Sequence, residues 1–455
     1  MSTTENPAPD TGPGAVREFA AALFDDGAAT PATPVADGSA GGWGAVDGRD
    51  VCLAVLGEDP GGRVLALAAR TGRPLVTVVP DGAAVDARAL GEIARAGVAL
   101  SGVVPQVAVV LGAADGAAAL LLPLADVVVA VRGARSALAD PAAAQVVTGV
   151  AREADDLGGT DLHAAATGRF AHVADDPAAA GEFVRDLLAH LPSNNRATAP
   201  RLPGAVPDPS EEDPDLAALL PEDAGAPYDV RDVVARLADE PEEGAPAFLE
   251  LRAAHAPHLV TGLTRLDGRS LGVVAPQPAV RGGALDAAAA AKAARFVRWC
   301  DAFGLPVLTL VDTAGAVPAG EDDPDAPTFA LAQLLYACAE ATTPLLTVVT
   351  GRAHGPARTA LASRYAGADL VLAWPRALVA DRDEVASAAG AGDEEWTAAL
   401  RAAREDAGPA RAAGRGELDG VVEPAATRAR LAASLRLLER VTGSQPARRH
   451  GNLPL

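Results

Sequence analysis

A 455-residue chain with a formal net charge of −22 offers no basic face for nucleic acid or for an anionic membrane surface, and it has the length for two or three domains. With 49% hydrophobic but only 3% aromatic residues, its cores must be built mostly from Ala, Val and Leu. Three cysteines, Cys52, Cys300 and Cys338, stand far apart and fit a reducing compartment rather than a disulfide framework. The polar opening MSTTENPAPDTGPG is not a secretory leader, and no apolar run reaches transmembrane length, so a soluble cytoplasmic protein is expected.

Residues 14–28, GAVREFAAALFDDGA, read as the first helix. Apolar runs then alternate with helical patterns: VCLAVLG from Val51, RVLALAARTG from Arg63, PLVTVVP from Pro74, QVAVVLG from Gln106 and ADVVVAV from Ala125. Strands interleaved with helices predict a mixed α/β architecture. From Arg196 the composition turns Pro-rich and acidic, so residues 196–226 read as a linker between a domain at 1–195 and another at 227–455. Strand and helix runs resume to about Ala380, and a charged helical tail follows, ending ARRHGNLPL.

The two halves repeat each other. Asp47-Gly48-Arg49 precedes an apolar strand, as Asp267-Gly268-Arg269 does. TGRPLVTVVPDGAA from Thr71 matches FGLPVLTLVDTAGA from Phe303, and VPQVAVVLGAADGAA from Val104 matches TTPLLTVVTGRAHGPA from Thr342. The offset grows from 220 to 239 residues, which indicates a duplicated domain with small insertions rather than a short-period solenoid. In the last pair Gly112–Gly116 aligns with Gly351–Gly355, and the next residue is Ala117 in the first half but Pro356 in the second. Both positions follow a strand and open a helix, where backbone N–H groups can face a developing negative charge. Proline suits the first position of a helix but has no N–H to offer.

LGGTDLHAAATGRFAHVADD from Leu157, LPSNN at 191–195, YDVRDVVARL from Tyr228, GALDAAAAAKAARFVRWCDAF from Gly283, GADLVLAWP from Gly367 and the terminal HGNLPL follow one another in an order that resembles the carboxyltransferase (beta) subunit of biotin-dependent acyl-CoA carboxylases of the propionyl-CoA type. The similarity covers almost the whole chain. It implies two tandem crotonase-like domains, each a ββα superhelix. It also implies a homo-oligomer, a dimer or a trimer of dimers, whose active site lies between the first domain of one subunit and the second domain of its partner. In such a site the first domain polarises the acyl-CoA thioester and the second polarises the ureido carbonyl of carboxybiotin.

Residue by residue, the resemblance places Gly116 and Ala117 at the family's Gly-Gly pair, with both N–H groups present for a thioester oxyanion hole. Asp115, just before them, stands where the family has a small apolar residue; it is either a proton donor beside the thioester or a solvated loop acid. The family's Ser-Gly-Gly-Ala-Arg becomes Asp81-Gly82-Ala83-Ala84-Val85, leaving Gly82 and Ala83 as substrate-contact candidates without the arginine, and a glycine-rich segment is replaced by EDPGGR at 58–63. In the second half Tyr-Gly-Gly-Ala-Tyr becomes His354-Gly355-Pro356-Ala357-Arg358. Gly355 and Ala357 remain as donor positions there, while Pro356 removes one donor to biotin. His354 and Arg358 are candidates for binding a substrate carboxylate or giving a proton, or are simply solvated, and Thr359 replaces an aspartate that contributes to acyl choice in the family. Asp312-Thr313-Ala314-Gly315-Ala316, PDAPTFALA from Pro324 and ADRDEVASA from Ala380 also depart from the family's second-domain motifs.

Outside these motifs, His255 and His258 in HAPH have too few companions for a metal site, so no metal is expected. A phosphate-binding loop and a dinucleotide fingerprint are missing. The losses concentrate on the biotin side. The leading expectation is therefore a biotin-independent decarboxylase of a malonyl-type thioester, on CoA or an acyl carrier protein, or of a related beta-keto acid, like divergent relatives found beside polyketide pathways. The alternatives are a functional carboxyltransferase beta subunit of a propionyl- or acetyl-CoA carboxylase and a catalytically silent scaffolding subunit. No covalently bound cofactor is expected. Any biotin must come from a biotin-carboxylase or carrier subunit, because the sequence has no biotin-attachment motif.

Overall fold

A computed structural model describes residues 13–31, 41–57, 62–202, 212–221, 226–241, 245–317, 325–361, 363–380 and 407–439. The segments 58–61, 381–388 and HGNLPL, each part of a motif above, lie outside the described residues, as does much of the 196–226 stretch. The chain divides into two compact units, Met1–Pro200 and Arg201–Leu455.

Unit 1 is built on a seven-stranded sheet of β1 (Thr30–Pro31), β2 (Gly42–Val46), β3 (Arg49–Val55), β4 (Leu75–Val79), β5 (Gln106–Val110), β7 (Val127–Val131) and β9 (His172–Ala174), adjacent in that order. The first three strands pair antiparallel and the rest parallel. A second, two-stranded parallel sheet joins β6 (Ala113–Asp115) to β8 (Arg135–Ala137). Strands β5 and β7 are buried at every position, as expected of parallel strands covered on both faces, and this explains why QVAVV and VVVAV do not alternate. The ARTG stretch ends the helix Arg63–Thr71, with Gly72 left-handed at its C-terminus. The first helix is Pro13–Leu23, shorter than the 14–28 pattern. Its extension fails at Asp25, whose carboxylate instead accepts from the backbone N–H groups of Asp47 and Gly48 at 3.0 and 2.9 Å.

Unit 2 repeats the plan. Its sheet runs β10 (Phe248–Glu250), β11 (Leu259–Leu266), β12 (Arg269–Pro276), β13 (Val307–Val311), β14 (Leu345–Val349), β16 (Leu370–Ala373) and β18 (Gly420–Val421), with β15 (Arg352–His354) and β17 (Leu378–Ala380) as the separate parallel pair. The duplication extends to individual hydrogen bonds. Asp239 accepts from the N–H groups of Asp267 and Gly268 at 3.0 and 2.7 Å, the same turn clamp that Asp25 makes. In each unit an arginine of the last described helix neutralises that clamp: Arg185 reaches Asp25 at 2.6 Å, and Arg428 reaches Asp239 at 2.6 Å. The core of unit 2 is aliphatic, centred on Val260, Leu271, Val273, Leu310 and Val348, with Trp374 as its largest member. No helix among the described residues is long and apolar enough to cross a membrane.

Candidate active site

In both units the chain leaves a central strand at an aspartate and returns at a glycine. Asp81 follows β4, and its Oδ1 accepts from the Ala113 N–H at 2.7 Å. Asp312 follows β13, and its Oδ1 accepts from the Arg352 N–H at 3.1 Å and from Arg352 Nε at 3.0 Å. The carboxylate occupies the space a side chain would need on the neighbouring strand end. A Cβ on Gly112 would lie 2.5 Å from the Asp81 Cβ, and one on Gly351 would lie 2.3 Å from the Asp312 Oδ2. These two glycines are fixed by close approach, and they aim the strands β6 and β15 that follow.

Beyond β6, Gly116 adopts φ 62° and ψ −121°, a conformation closed to side-chain-bearing residues. Its own N–H donates to the Ala137 carbonyl at 2.8 Å, so Gly116 is not an oxyanion donor, contrary to the sequence expectation. The physical reason is the β6–β8 pairing, which continues one hydrogen bond past the strand. The reversal of the chain at Gly116 leaves the next N–H, that of Ala117, without an acceptor among the described residues. In the facing loop Gly82, at φ 64°, donates to Ala113 O at 3.1 Å, and Ala83 donates to Pro80 O at 3.3 Å. These candidates therefore brace the loop against β6 rather than supply N–H groups. The uncommitted N–H here is that of Ala84, likewise without an acceptor among the described residues. The sequence motif contained Ala84, but only the tertiary hydrogen bonds single it out.

Asp115 is half-buried and forms an ion pair with Arg135 of β8, its Oδ2 accepting from Nη2 at 2.9 Å and Nε at 3.2 Å. Its Oδ1 is buried with no partner among the described residues. The bond to Asp115, only partly opposed by burial, raises the Arg135 guanidinium above its ordinary pKa. Arg135 had no sequence signal, because it stands twenty residues away on a strand of three residues.

Unit 2 presents the same frame with different donors. Counting from Asp312, the position equivalent to Ala84 is Gly315, at φ 109°, and its N–H is taken by the Thr313 hydroxyl at 3.0 Å. Thr313 and Ala314 N–H groups go to Arg352 O at 2.8 Å and Gly282 O at 3.0 Å. The position equivalent to Ala117 is Pro356, the second residue of the helix Gly355–Ala360, which has no N–H. Gly355, at φ 58°, is half-buried, as is Thr359; Ala357 and His354 are buried. Arg358 is 8% exposed, and its Nη1 donates to Glu417 Oε2 at 2.7 Å, so the solvated or substrate-binding role expected for it is replaced by a buried ion pair. Burial alone would raise the Glu417 carboxyl, but bonds from Arg415 and Arg358 hold it below its ordinary value. At the carboxyl ends of β13, β14 and β16 lies a cavity of about 170 Å³, lined by Leu220, Pro221, Tyr228, Asp312 and Trp374 among others. His258 faces Asp286 at 3.0 Å, and no group of residues suited to a metal ion occurs among the described residues.

Residues 64–453 match the carboxyl transferase domain family. The biotin-dependent acetyl-/propionyl-coenzyme A carboxylase beta5 subunit of Mycobacterium leprae is 39% identical over 93% of this chain and 83% of its own length. The propionyl-CoA carboxylase beta chain of Saccharopolyspora erythraea is also 39% identical, over 93% of this chain and 84% of its own. Among solved structures, the transcarboxylase 12S core, described as a hexamer with hydrolysed methylmalonyl-coenzyme A bound, superposes with a TM-score of 0.88 at 32% identity, covering 97% of this chain and 92% of that one. With its two tandem crotonase-like units, the chain belongs to the carboxyl transferase family, among the relatives of acyl-CoA carboxylase beta subunits.

Proposed function

We propose that the chain works as an acyl-CoA carboxyltransferase subunit that forms the enolate of an acyl thioester in unit 1, for attack on an activated carboxyl group supplied with a biotin-carrying partner subunit. The observation that carries this reading is the pair of uncommitted N–H groups, Ala84 and Ala117, on two loops tied together by the Gly82–Ala113 hydrogen bond. Loss of the α-proton moves charge onto the thioester oxygen, and donors held ready for that oxygen lower the barrier without reorganising. The near full-length similarity to carboxylase beta chains supports this reading over the decarboxylase reading that the sequence motifs favour.

Unit 2 does not fit the ureido carbonyl of biotin as the resemblance implies. Pro356 has no N–H, and Gly315 has given its own to Thr313, so no step is assigned to that group there. This mismatch favours a second reading, decarboxylation of a malonyl-type thioester. In that reaction the Cα–carboxylate bond breaks, its electron pair forms the same enolate in unit 1, carbon dioxide leaves and solvent returns a proton to Cα. One experiment separates the readings. The purified chain is given propionyl-CoA with a carboxylated biotin carrier domain, and separately malonyl-CoA alone, and products are followed by mass spectrometry. Carboxyl transfer to propionyl-CoA is expected. Carbon dioxide loss from malonyl-CoA without transfer replaces the first reading with the second, and inertness in both arms assigns the scaffolding role.

A further inference from the structure

Strand β8 holds the Gly116 N–H through Ala137 and thereby fixes where Ala117 points. It is an edge strand of a two-stranded sheet, so only alternate backbone groups meet β6. The carbonyl of Ser136, between them, faces the other way and lies in a fully buried residue. A buried carbonyl needs a donor. The structure supplies one from the LGGTDLH motif: His163 Nε2 lies 2.6 Å from Ser136 O. His163 is itself 4% exposed, and its Nδ1 lies 3.0 Å from the Thr167 hydroxyl. With a carbonyl opposite Nε2, that nitrogen must carry the proton, and Nδ1 accepts from Thr167.

The rest of the motif serves the same contact. A Cβ on Gly158 would lie 2.3 Å from Ser136 O, so the chain can approach the strand only as glycine. The Gly159 carbonyl accepts from the His163 N–H at 3.1 Å, and the Thr167 N–H donates to Leu162 O at 3.3 Å to close the π-helical turn Leu162–Ala166 that carries the imidazole to the strand edge. Phe170 meets the ring edge-on at 5.2 Å between centroids, and Arg169 Nη1 donates to the Ser136 hydroxyl at 3.1 Å and, less closely, to Ser136 O at 3.4 Å.

We infer that His163 is a positioning residue for the thioester site: through Ser136 and β8 it sets the direction of the Ala117 N–H. This rests on the reading that unit 1 binds the thioester. Removing the imidazole donor leaves the buried Ser136 O with only the longer bond from Arg169 Nη1 at 3.4 Å, and β8 must shift to regain a close partner. Ala137 O, Gly116 and Ala117 shift with it, while the facing loop at Ala84 remains braced by Asp81.

The test uses the full chain and propionyl-CoA labelled with carbon-13 at the thioester carbonyl. Calorimetry reads binding, and difference infrared spectroscopy reads polarisation of the bound carbonyl. Wild type should bind and shift the carbonyl band to lower frequency. His163→Phe keeps the ring volume without the donor. It should bind within about threefold of wild type, lose at least half of the band shift and lose roughly tenfold or more in kcat with little change in KM. His163→Gln, which replaces Nε2–H with an amide donor, should recover most of the shift. A folded His163→Phe with the full shift and full kcat overturns the inference. Should His163→Phe not fold, a folded His163→Gln that has lost the shift overturns it equally. Failure of the wild-type chain to bind propionyl-CoA instead strikes at the thioester reading itself.

Discussion

Single peptide groups separate the two halves of this protein. Ala117 and Pro356 occupy the same place in the two units, and the fold accepts either, because the N–H groups of a helix's first turn have no intrahelical acceptor. Ala117→Pro should therefore leave the melting temperature nearly unchanged while lowering kcat/KM toward acyl-CoA by roughly a hundredfold to a thousandfold, the usual effect of removing one oxyanion donor. Unchanged turnover would show that Ala117 is not a donor. Arg358 gives the opposite lesson. From sequence it stood beside the helix start as a candidate ligand, yet it is buried against Glu417. Glu417→Ala leaves a buried guanidinium with a lost partner and should cost about 3–5 kcal/mol in urea unfolding. Nothing local in the sequence joins residues 358 and 417, which are 59 positions apart.

At the scale of elements, the duplication is physical as well as textual. The apolar runs identified the parallel strands, because strands buried on both faces constrain composition locally. The returns after β5 and β14 were legible only as sequence matches, since the clash that fixes Gly112 and Gly351 comes from aspartates 31 and 39 residues earlier in the chain. Gly112→Ala should destabilise by about 1–3 kcal/mol, as overpacking does, and should also impair the site by displacing β6; chemical denaturation and steady-state kinetics read the two effects. Lys292, the only lysine, sits in the helix Ala287–Ala302 and donates to the carbonyls of Arg252, His255 and Leu259 at 2.9, 2.8 and 2.6 Å. Burial pulls its pKa down to about 7. It pins a loop in which Arg252 and Ala256 have positive φ. Lys292→Met should lower stability by about 3 kcal/mol or more, because each stranded carbonyl carries a desolvation cost of about 1–3 kcal/mol.

Across the whole molecule, the charge groups define a pH window. Burial holds His163 and His172 below the ordinary imidazole value of 6.5. The unfolded chain then binds more protons as pH falls below 6.5, so their contribution to stability is complete above that value and declines beneath it. Asp267, held down chiefly by its bond from Arg436, and Asp25, held down by the Gly48 N–H, contribute above 3.8 and lose that contribution as pH falls through their depressed values. Asp186, raised by burial, works in the opposite direction. The melting temperature should thus fall in two stages on acidification, beginning near pH 6.5 and steepening below pH 4; a flat profile from pH 7 to 5 would contradict the histidine assignment. A homo-oligomer is likewise proposed, on the resemblance to a hexameric transcarboxylase core, and light scattering showing a clean monomer at micromolar concentration would exclude it.

The sequence by itself determined the ancestry, the duplication, the alternation of buried strands and helices, and the absence of a donor at Pro356. Each of these is a property of residue type at a position or of local periodicity. Tertiary structure decided which N–H groups remain uncommitted. Gly116 and Gly82 were site candidates by residue type, yet each N–H is bound to a carbonyl of a different strand, and the Gly315 N–H is bound to the hydroxyl of Thr313. Ala84 and Ala117 stay uncommitted because the strands around them satisfy everything else. A hydrogen bond is a relation between two places in the fold, and its availability is set only when both are fixed.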